Sequence, residues 1–193
     1  MVGGVLVGAC VTMVCLHEMG RRAPVAHASV RPACSVSILL LAADRIPLSQ
    51  AIDHSSGRRG FSHAAWDACE EMDGVPVGID CRPGHGVHRR PLEDIISGRR
   101  HVRIVLPLAE GREAYGCARA RLGESYDGLG LFFTAGGGRR RGTICSELVY
   151  ECLPERLRRS IAVPAGRPVA PNDIAAAFGV RSPDSADVHL EAS

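Results

Sequence analysis

The chain has 193 residues, of which 46% are hydrophobic and 23% charged, and this composition excludes an intrinsically disordered protein. The length suffices for one domain with a hydrophobic core and is short for two. The net charge of +2 gives no electrostatic basis for binding nucleic acid. All the basic residues are arginines, and pairs such as Arg89–Arg90 are predicted to lie on a solvated surface.

The N-terminal segment, residues 1–34, combines an apolar run with a linker-like stretch. The first sixteen residues carry no charge, but a membrane-spanning helix needs about 20 apolar residues. A small-residue site near Ala26 and Ala28 is typical of an export signal, although no basic region precedes the run. The segment could be a membrane anchor, an export signal, a buried helix or the result of a mis-assigned start codon. The location, cytoplasmic or exported, therefore also stays open. Residues 17–34 are predicted to be a linker.

The folded domain is predicted to cover residues 35–180, with strands in its first half and helices in its second. Short apolar or alternating runs indicate strands, and apolar residues at helical spacing indicate helices. The predicted strands are 35–43, 59–66, 75–81 and 101–108, and the predicted helices are 47–56, 91–98, 110–123, 144–153 and 170–180. Residues 181–193 are predicted to be a loose polar tail.

The eight cysteines show no compact spacing of the kind found in small disulfide-rich secreted domains. Cys117 and Cys152 lie on apolar faces of predicted helices, where a free cysteine packs as a small hydrophobic residue. We therefore expect reduced thiols.

Cys145 differs from the other cysteines because it opens a clearly predicted helix. A free thiol has a pKa of about 8.5, and a helix N-terminus or a neighbouring imidazolium lowers it. Thr143 is a candidate N-cap for this helix, which continues through Ser146 and Glu147, themselves candidates for capping. The position favours a thiolate nucleophile at Cys145.

His63 is the candidate base for this nucleophile. It lies on a predicted strand with its side chain opposite in direction to Ala64 and Trp66. If this strand pairs with the strand at 75–81, Asp80 is expected roughly 5 Å away and can orient the imidazole. A nucleophile, a base and an orienting carboxylate form the arrangement shared by cysteine and serine hydrolases.

The order of four segments resembles the circularly permuted branch of the NlpC-type papain-like enzymes, including the YiiX-like group. These segments are FSHAAW, SYDGLGLFF, ICSELVYECL and the late stretch that contains Pro171 to Ile174. The resemblance covers about residues 35–178. It implies an α+β fold with a central antiparallel sheet packed against the nucleophile helix, and a histidine strand that precedes the cysteine helix.

The same resemblance implies Cys145 as nucleophile, His63 as base and Asp80 as third polar group, with Ser62 and Tyr126 at the substrate. The sequence departs from the family at Asp80, where relatives often carry glutamate. It also departs after Trp66, where acidic residues are expected to shorten the strand. Asp67 and Glu70 are alternative orienting carboxylates, ranked below Asp80.

These assignments predict a cysteine peptidase or amidase that works through an acyl-enzyme and needs no cofactor. Its partners would be peptides or cell-wall peptides. The rival hypotheses are a lipid-directed acyltransferase or acylhydrolase, with a cleft wall from residues 129–133, and a binding domain that lacks catalysis. Membrane association through the N-terminal segment stays open, as does the oligomeric state.

Two further motifs have the residue types of binding sites but lack part of the required pattern. Cys81, His85 and His88 lie within eight residues and could surround a zinc ion, but no paired Cys-x-x-Cys completes the set, and we expect no metal. The glycines at 136–138 and the arginines at 139–141 lack the Lys-Ser/Thr of a phosphate-binding loop, and we expect a loop near the active-site mouth.

Overall fold

The computed structural model describes residues 28–30, 34–45, 47–55, 59–127, 142–163 and 167–192. Within these residues the chain is an α+β domain built on one seven-stranded sheet. The strands are β1 (Ala28–Val30), β2 (Ser37–Ala42), β3 (Phe61–Met72), β4 (Val75–Arg82), β5 (Gly86–Pro91), β6 (His101–Val105) and β7 (Val188–His189). The helices are α1 (Pro47–Ser55), α2 (Leu92–Ile96), α3 (Leu108–Ala120), α4 (Cys145–Cys152), α5 (Glu155–Arg159) and α6 (Pro171–Ala177).

The strands follow the order β5-β4-β3-β2-β6-β7, and β1 pairs with β3 outside this path. Every pairing is antiparallel except that of β6 with β7, which is parallel. The sheet is therefore mixed: the expected antiparallel pairing holds at its centre, and the parallel pair lies at its edge. The parallel strand comes from the segment predicted to be a loose tail, where the backbone N–H of Leu190 donates to the carbonyl of Val105.

The sheet is buried on both faces at its centre, which explains why β2 is a continuous apolar run rather than an alternating one. All six residues of β2 are buried. Ile38 and Leu40 join the main core with Trp66 of β3, and Leu39 and Leu41 pack on the opposite face. Helix α4 packs mainly on β3 and α3, so the nucleophile candidate is held against the centre of the sheet.

Strand β3 continues to Met72, so the prediction that acidic residues shorten it is wrong. The two internal carboxylates are neutralised rather than solvated: Arg103 donates to Asp67, and Arg89 donates to Glu70 at 2.9 Å. Arg103 lies on β6 and Arg89 on β5, so each guanidinium reaches β3 across one intervening strand.

Two disulfide bonds correct the expectation of reduced thiols. Cys34 is bonded to Cys69, and Cys117 is bonded to Cys152. The helical spacing correctly indicated burial of Cys152, whereas Cys117 is half-buried against the core. It could not show that α3 and α4 bring the two sulfur atoms together.

The N-terminal predictions fall largely outside the described residues. Ala28–Val30, predicted to be part of a linker, instead forms a strand against β3. Among the described residues, the helices are all too short or too polar to cross a lipid bilayer.

Candidate active site

Cys145 is the first residue of α4 and is 5% exposed. The residue at the N-cap is Ile144, and no side chain caps the helix, so the prediction of Thr143 as N-cap is wrong. Ser146 is also not a cap, because its hydroxyl donates to the carbonyl of Val169 at 2.7 Å. The first backbone N–H groups of a helix have no partner within it and carry a partial positive charge. The helix therefore favours negative charge at the Cys145 sulfur.

His63 lies near the start of β3, next to an irregularity in the sheet. Leu41 pairs with His63, but the next pair joins Ala42 to Phe61, so Ser62 is an extra residue on β3. A bulge of this kind changes the direction of the neighbouring side chains. Phe61 and Ala64 belong to the main core, whereas the His63 side chain is 17% exposed and lines a cavity.

The imidazole of His63 links the sulfur to a carboxylate. Its Nε2 donates to Oδ1 of Asp80 at 2.6 Å. The ring also interacts with Cys145, whose charge raises the pKa of His63. The three predicted residues Cys145, His63 and Asp80 therefore lie together at one cavity, with a direct hydrogen bond between His63 and Asp80.

Asp80 reaches His63 by a different geometry from the one expected. The pairing of β3 with β4 ends, on this side, at Trp66 and Ile79. Asp80 is one residue beyond that pair and His63 is three residues before it, so the two side chains are not directly opposed. They meet diagonally, beyond the end of the strand pairing. The alternative carboxylates do not serve this role, because Asp67 and Glu70 are bound to arginines elsewhere.

Arg90 is a site residue that the sequence did not indicate. It lies on β5, and its guanidinium donates to Oδ2 of Asp80 at 2.8 Å and to the backbone carbonyl of Asp94 at 3.1 Å. Asp80 is 1% exposed, so a buried carboxylate receives one hydrogen bond on each oxygen. Strand β5 was not predicted because its sequence, GVHRRP, is polar and lies at the edge of the sheet.

Each charged group of the site shifts the pKa of its neighbour toward the ionised form. Burial by itself raises the pKa of Cys145, but the adjacent His63 imidazolium more than offsets this and lowers the pKa below its ordinary value. Burial by itself lowers the pKa of His63, but the charges of Cys145 and Asp80 raise it to about 10. Burial opposes ionisation of Asp80 too, yet His63 and Arg90 hold its pKa well below its ordinary value. These shifts favour a thiolate–imidazolium pair.

A cavity of about 350 Å³ opens onto the sulfur. Both predicted substrate contacts, Ser62 and Tyr126, line it. The Ser62 hydroxyl is engaged with that of Ser49 at 2.5 Å, and Ser49 also accepts from the backbone N–H of Asp44. Ser62 thus links β3 to α1 at the cavity wall.

The segment before Cys145 is held by the residues around Tyr126. The backbone N–H of Thr143 donates to the carbonyl of Ser125, and that of Asp127 donates to the carbonyl of Thr143. A Cβ atom at Gly142 would lie 2.3 Å from the Ser125 carbonyl oxygen, so the two segments are in close backbone contact. These contacts fix the chain as it enters α4.

Cys81, His85 and His88, the residues considered as zinc ligands, make other contacts. The Cys81 thiol donates to the carbonyl of Thr143, and the rings of His85 and His88 stack with centroids 5.4 Å apart. Cys81 lines the same cavity as Cys145, but burial raises its pKa to about 12, so it is not a thiolate at neutral pH. The predicted apolar wall at residues 129–133 and the loop at 136–141 lie outside the described residues.

Comparison with known proteins gives no independent assignment: no protein-family model, curated protein or solved structure matches the chain.

Proposed function

We propose that the chain is a cysteine hydrolase that cleaves an amide through an acyl-enzyme, with Cys145 as nucleophile and His63 as acid and base. The observation that carries the proposal is the meeting of Cys145 and His63 at one cavity, with the His63 imidazole hydrogen-bonded to the buried carboxylate of Asp80. A purely structural cysteine needs neither an imidazole partner nor a buried carboxylate behind it. Perturbed ionisable groups gathered at a cavity are typical of a functional site.

The reaction follows from the charge distribution. The Cys145 thiolate attacks the amide carbonyl, and the oxyanion that forms is stabilised by backbone N–H groups at the start of α4. The His63 imidazolium gives its proton to the leaving amine as the C–N bond breaks. His63, now neutral, takes a proton from water as the water attacks the thioester. The carboxylic acid leaves, and the thiolate–imidazolium pair is restored.

The proposal includes a permuted papain-like fold of the NlpC type. Its support is the order of the parts: a histidine strand precedes the cysteine helix, and that helix packs on the histidine strand. The mixed sheet and the two disulfides are features of this chain beyond the expected pattern.

The described lining of the cavity offers many groups that can bind a polar amide. Charged and hydroxyl side chains are the most numerous in it, namely Asp44, Ser49, Ser62, Asp80, Arg82, Arg90, Asp94, Ser97 and Arg99. Such groups fix the orientation of a ligand by hydrogen bonding. The proposed substrates are therefore peptides, including those of cell walls.

A thiol-directed acyl probe tests the proposal. The wild type should form a covalent adduct at Cys145, identified by peptide mass mapping, and Cys145→Ala and His63→Ala should abolish it. Cys81→Ala is the matched control, since it removes the other free thiol of the same cavity and should leave labelling intact. Equal labelling of the wild type and Cys145→Ala, with both folded, would support the rival non-catalytic binding domain.

A further inference from the structure

Three arginines line the cavity that opens onto Cys145, and two of them are neutralised by the protein itself. Arg90 is bound to Asp80, and Arg99 is bound to Asp44 at 2.7 Å. Arg82 differs, because among the described residues it forms no ion pair and its Nε is buried without a hydrogen-bond partner.

The position of Arg82 directs it to the reacting groups. It is the last residue of β4, two residues after Asp80, and side chains two residues apart on a strand lie on the same face. Asp80 is the carboxylate bound to His63, so Arg82 lies on the His63 side of the strand. The turn that follows, starting at Pro83, also lines the cavity.

A half-buried guanidinium that forms no ion pair with the described residues retains its capacity to bind an anion. Arginine is always ionised in proteins and binds carboxylates through two parallel hydrogen bonds. Partial exclusion of water strengthens such a contact. The described residues supply no anion that pairs with Arg82. We therefore expect the substrate to supply it.

We propose that Arg82 binds a carboxylate of the substrate, so that the enzyme selects amides that carry an anionic group near the bond to be cleaved. This inference rests on the proposed function, because it takes Cys145 as the nucleophile of the same cavity. Arg82 is a specificity-determining residue, and it takes no part in proton transfer.

Matched alkylating reagents test the proposal without knowledge of the natural substrate. N-iodoacetyl-glycine carries a carboxylate, and its amide is the same size and neutral. With either reagent the Cys145 sulfur forms a bond to the methylene carbon and iodide leaves. The measured quantity is the ratio of the rate constants for the acid and the amide at Cys145, determined by peptide mass mapping.

In Arg82→Met the ratio should fall about tenfold from its wild-type value, as expected for the loss of a charge-assisted hydrogen bond. Arg82→Lys keeps the charge and should retain part of the preference. The control is Arg112→Met, which removes an exposed arginine of α3 outside the cavity and should leave the ratio unchanged. Circular dichroism checks the folding of each variant.

The outcomes separate the two proposals. A reactive Cys145 whose ratio is the same in the wild type and Arg82→Met would overturn the inference alone, and so would an equal fall in Arg112→Met. The aminomethylphosphonate analogue of the acid tests phosphate as the bound group, and a larger Arg82-dependent preference for it would overturn the carboxylate assignment. A wild-type Cys145 no more reactive than an ordinary thiol would overturn the proposed function, and the inference with it.

Discussion

His63 and Asp80 are joined by a hydrogen bond of 2.6 Å although they are not paired across the sheet. The contact forms where β3 and β4 separate, beyond the pair of Trp66 with Ile79. There the extra residue Ser62 and the close of the strand pairing allow the imidazole to lie between the carboxylate and the helix that carries Cys145. The site therefore depends on an irregularity of the sheet.

Replacing Asp80 by asparagine should impair catalysis more than folding. The amide keeps the shape of the side chain but removes the charge that raises the pKa of His63. We expect kcat to fall by about 100-fold, within the range for loss of a well-placed acid–base group. Steady-state kinetics on a peptide amide measures the effect.

The control for this substitution is Asp94→Asn, which neutralises an exposed carboxylate in the same cavity. Its kcat should stay within about twofold of the wild type, as is usual for a surface charge. Equal losses in the two variants would show that the net charge of the cavity matters, and not the bond to His63.

The reactivity of Cys145 should depend on pH in a way that identifies its partner. Because the pKa of Cys145 is lowered, alkylation by iodoacetamide should reach its plateau at a lower pH than alkylation of an ordinary thiol. In His63→Ala the charge that lowers the pKa of Cys145 is lost and burial remains, so the rise in rate should move to a higher pH than for an ordinary thiol. An unchanged profile in His63→Ala would exclude the ion pair.

The rate of hydrolysis should also decline at alkaline pH. His63 must be protonated to donate to the leaving amine, and its pKa is about 10. Activity should therefore fall as the pH rises through that value. A pH profile of kcat/KM with no decline up to the pH of unfolding contradicts this assignment.

Gly86 and Gly84 offer a matched pair for testing how β5 is held beside the site. Both have positive φ, at +66° and +78°, so an added Cβ strains either backbone. At Gly86 that Cβ would also lie 2.0 Å from the Glu124 carbonyl oxygen, whereas at Gly84 nothing lies within 4 Å.

Gly84→Ala is expected to cost about 1 kcal/mol of unfolding free energy, the usual penalty for the left-handed region. Gly86→Ala should cost more by about 1–3 kcal/mol, in line with overpacking. Urea denaturation measures both. Similar values for the two variants would mean that the contact between β5 and residues 124–125 relaxes freely.

The two disulfides allow another matched comparison, because each spans 35 residues. On the chain-entropy account, each should contribute about 3–4 kcal/mol to the free energy of unfolding. We expect similar losses in Cys34→Ala/Cys69→Ala and Cys117→Ala/Cys152→Ala by urea denaturation.

The loss of activity at saturating substrate should be larger for Cys117→Ala/Cys152→Ala, since that bond ties the nucleophile helix to α3. Full activity in this double variant would show that packing alone positions α4. Mass spectrometry of the denatured, alkylated wild type without reduction provides the direct check, since these four cysteines should stay unmodified.

The sequence determined the parts of this protein whose signal is local. The all-apolar run of β2 and the helical spacing after Cys145 follow from burial, which side-chain periodicity reports directly. The candidate residues Cys145, His63 and Asp80 were also found this way, from their places on predicted elements and from the order of the motifs.

The tertiary structure decided which distant groups meet. Arg90 lies on a polar edge strand with no apolar period, so nothing in its local sequence distinguished it from a solvated arginine. The disulfides, the mixed sheet and the diagonal bond from His63 to Asp80 all depend on register and on the packing of segments far apart in the chain. Local sequence encodes the burial of a side chain, whereas contacts between distant side chains exist only once the whole sheet has formed.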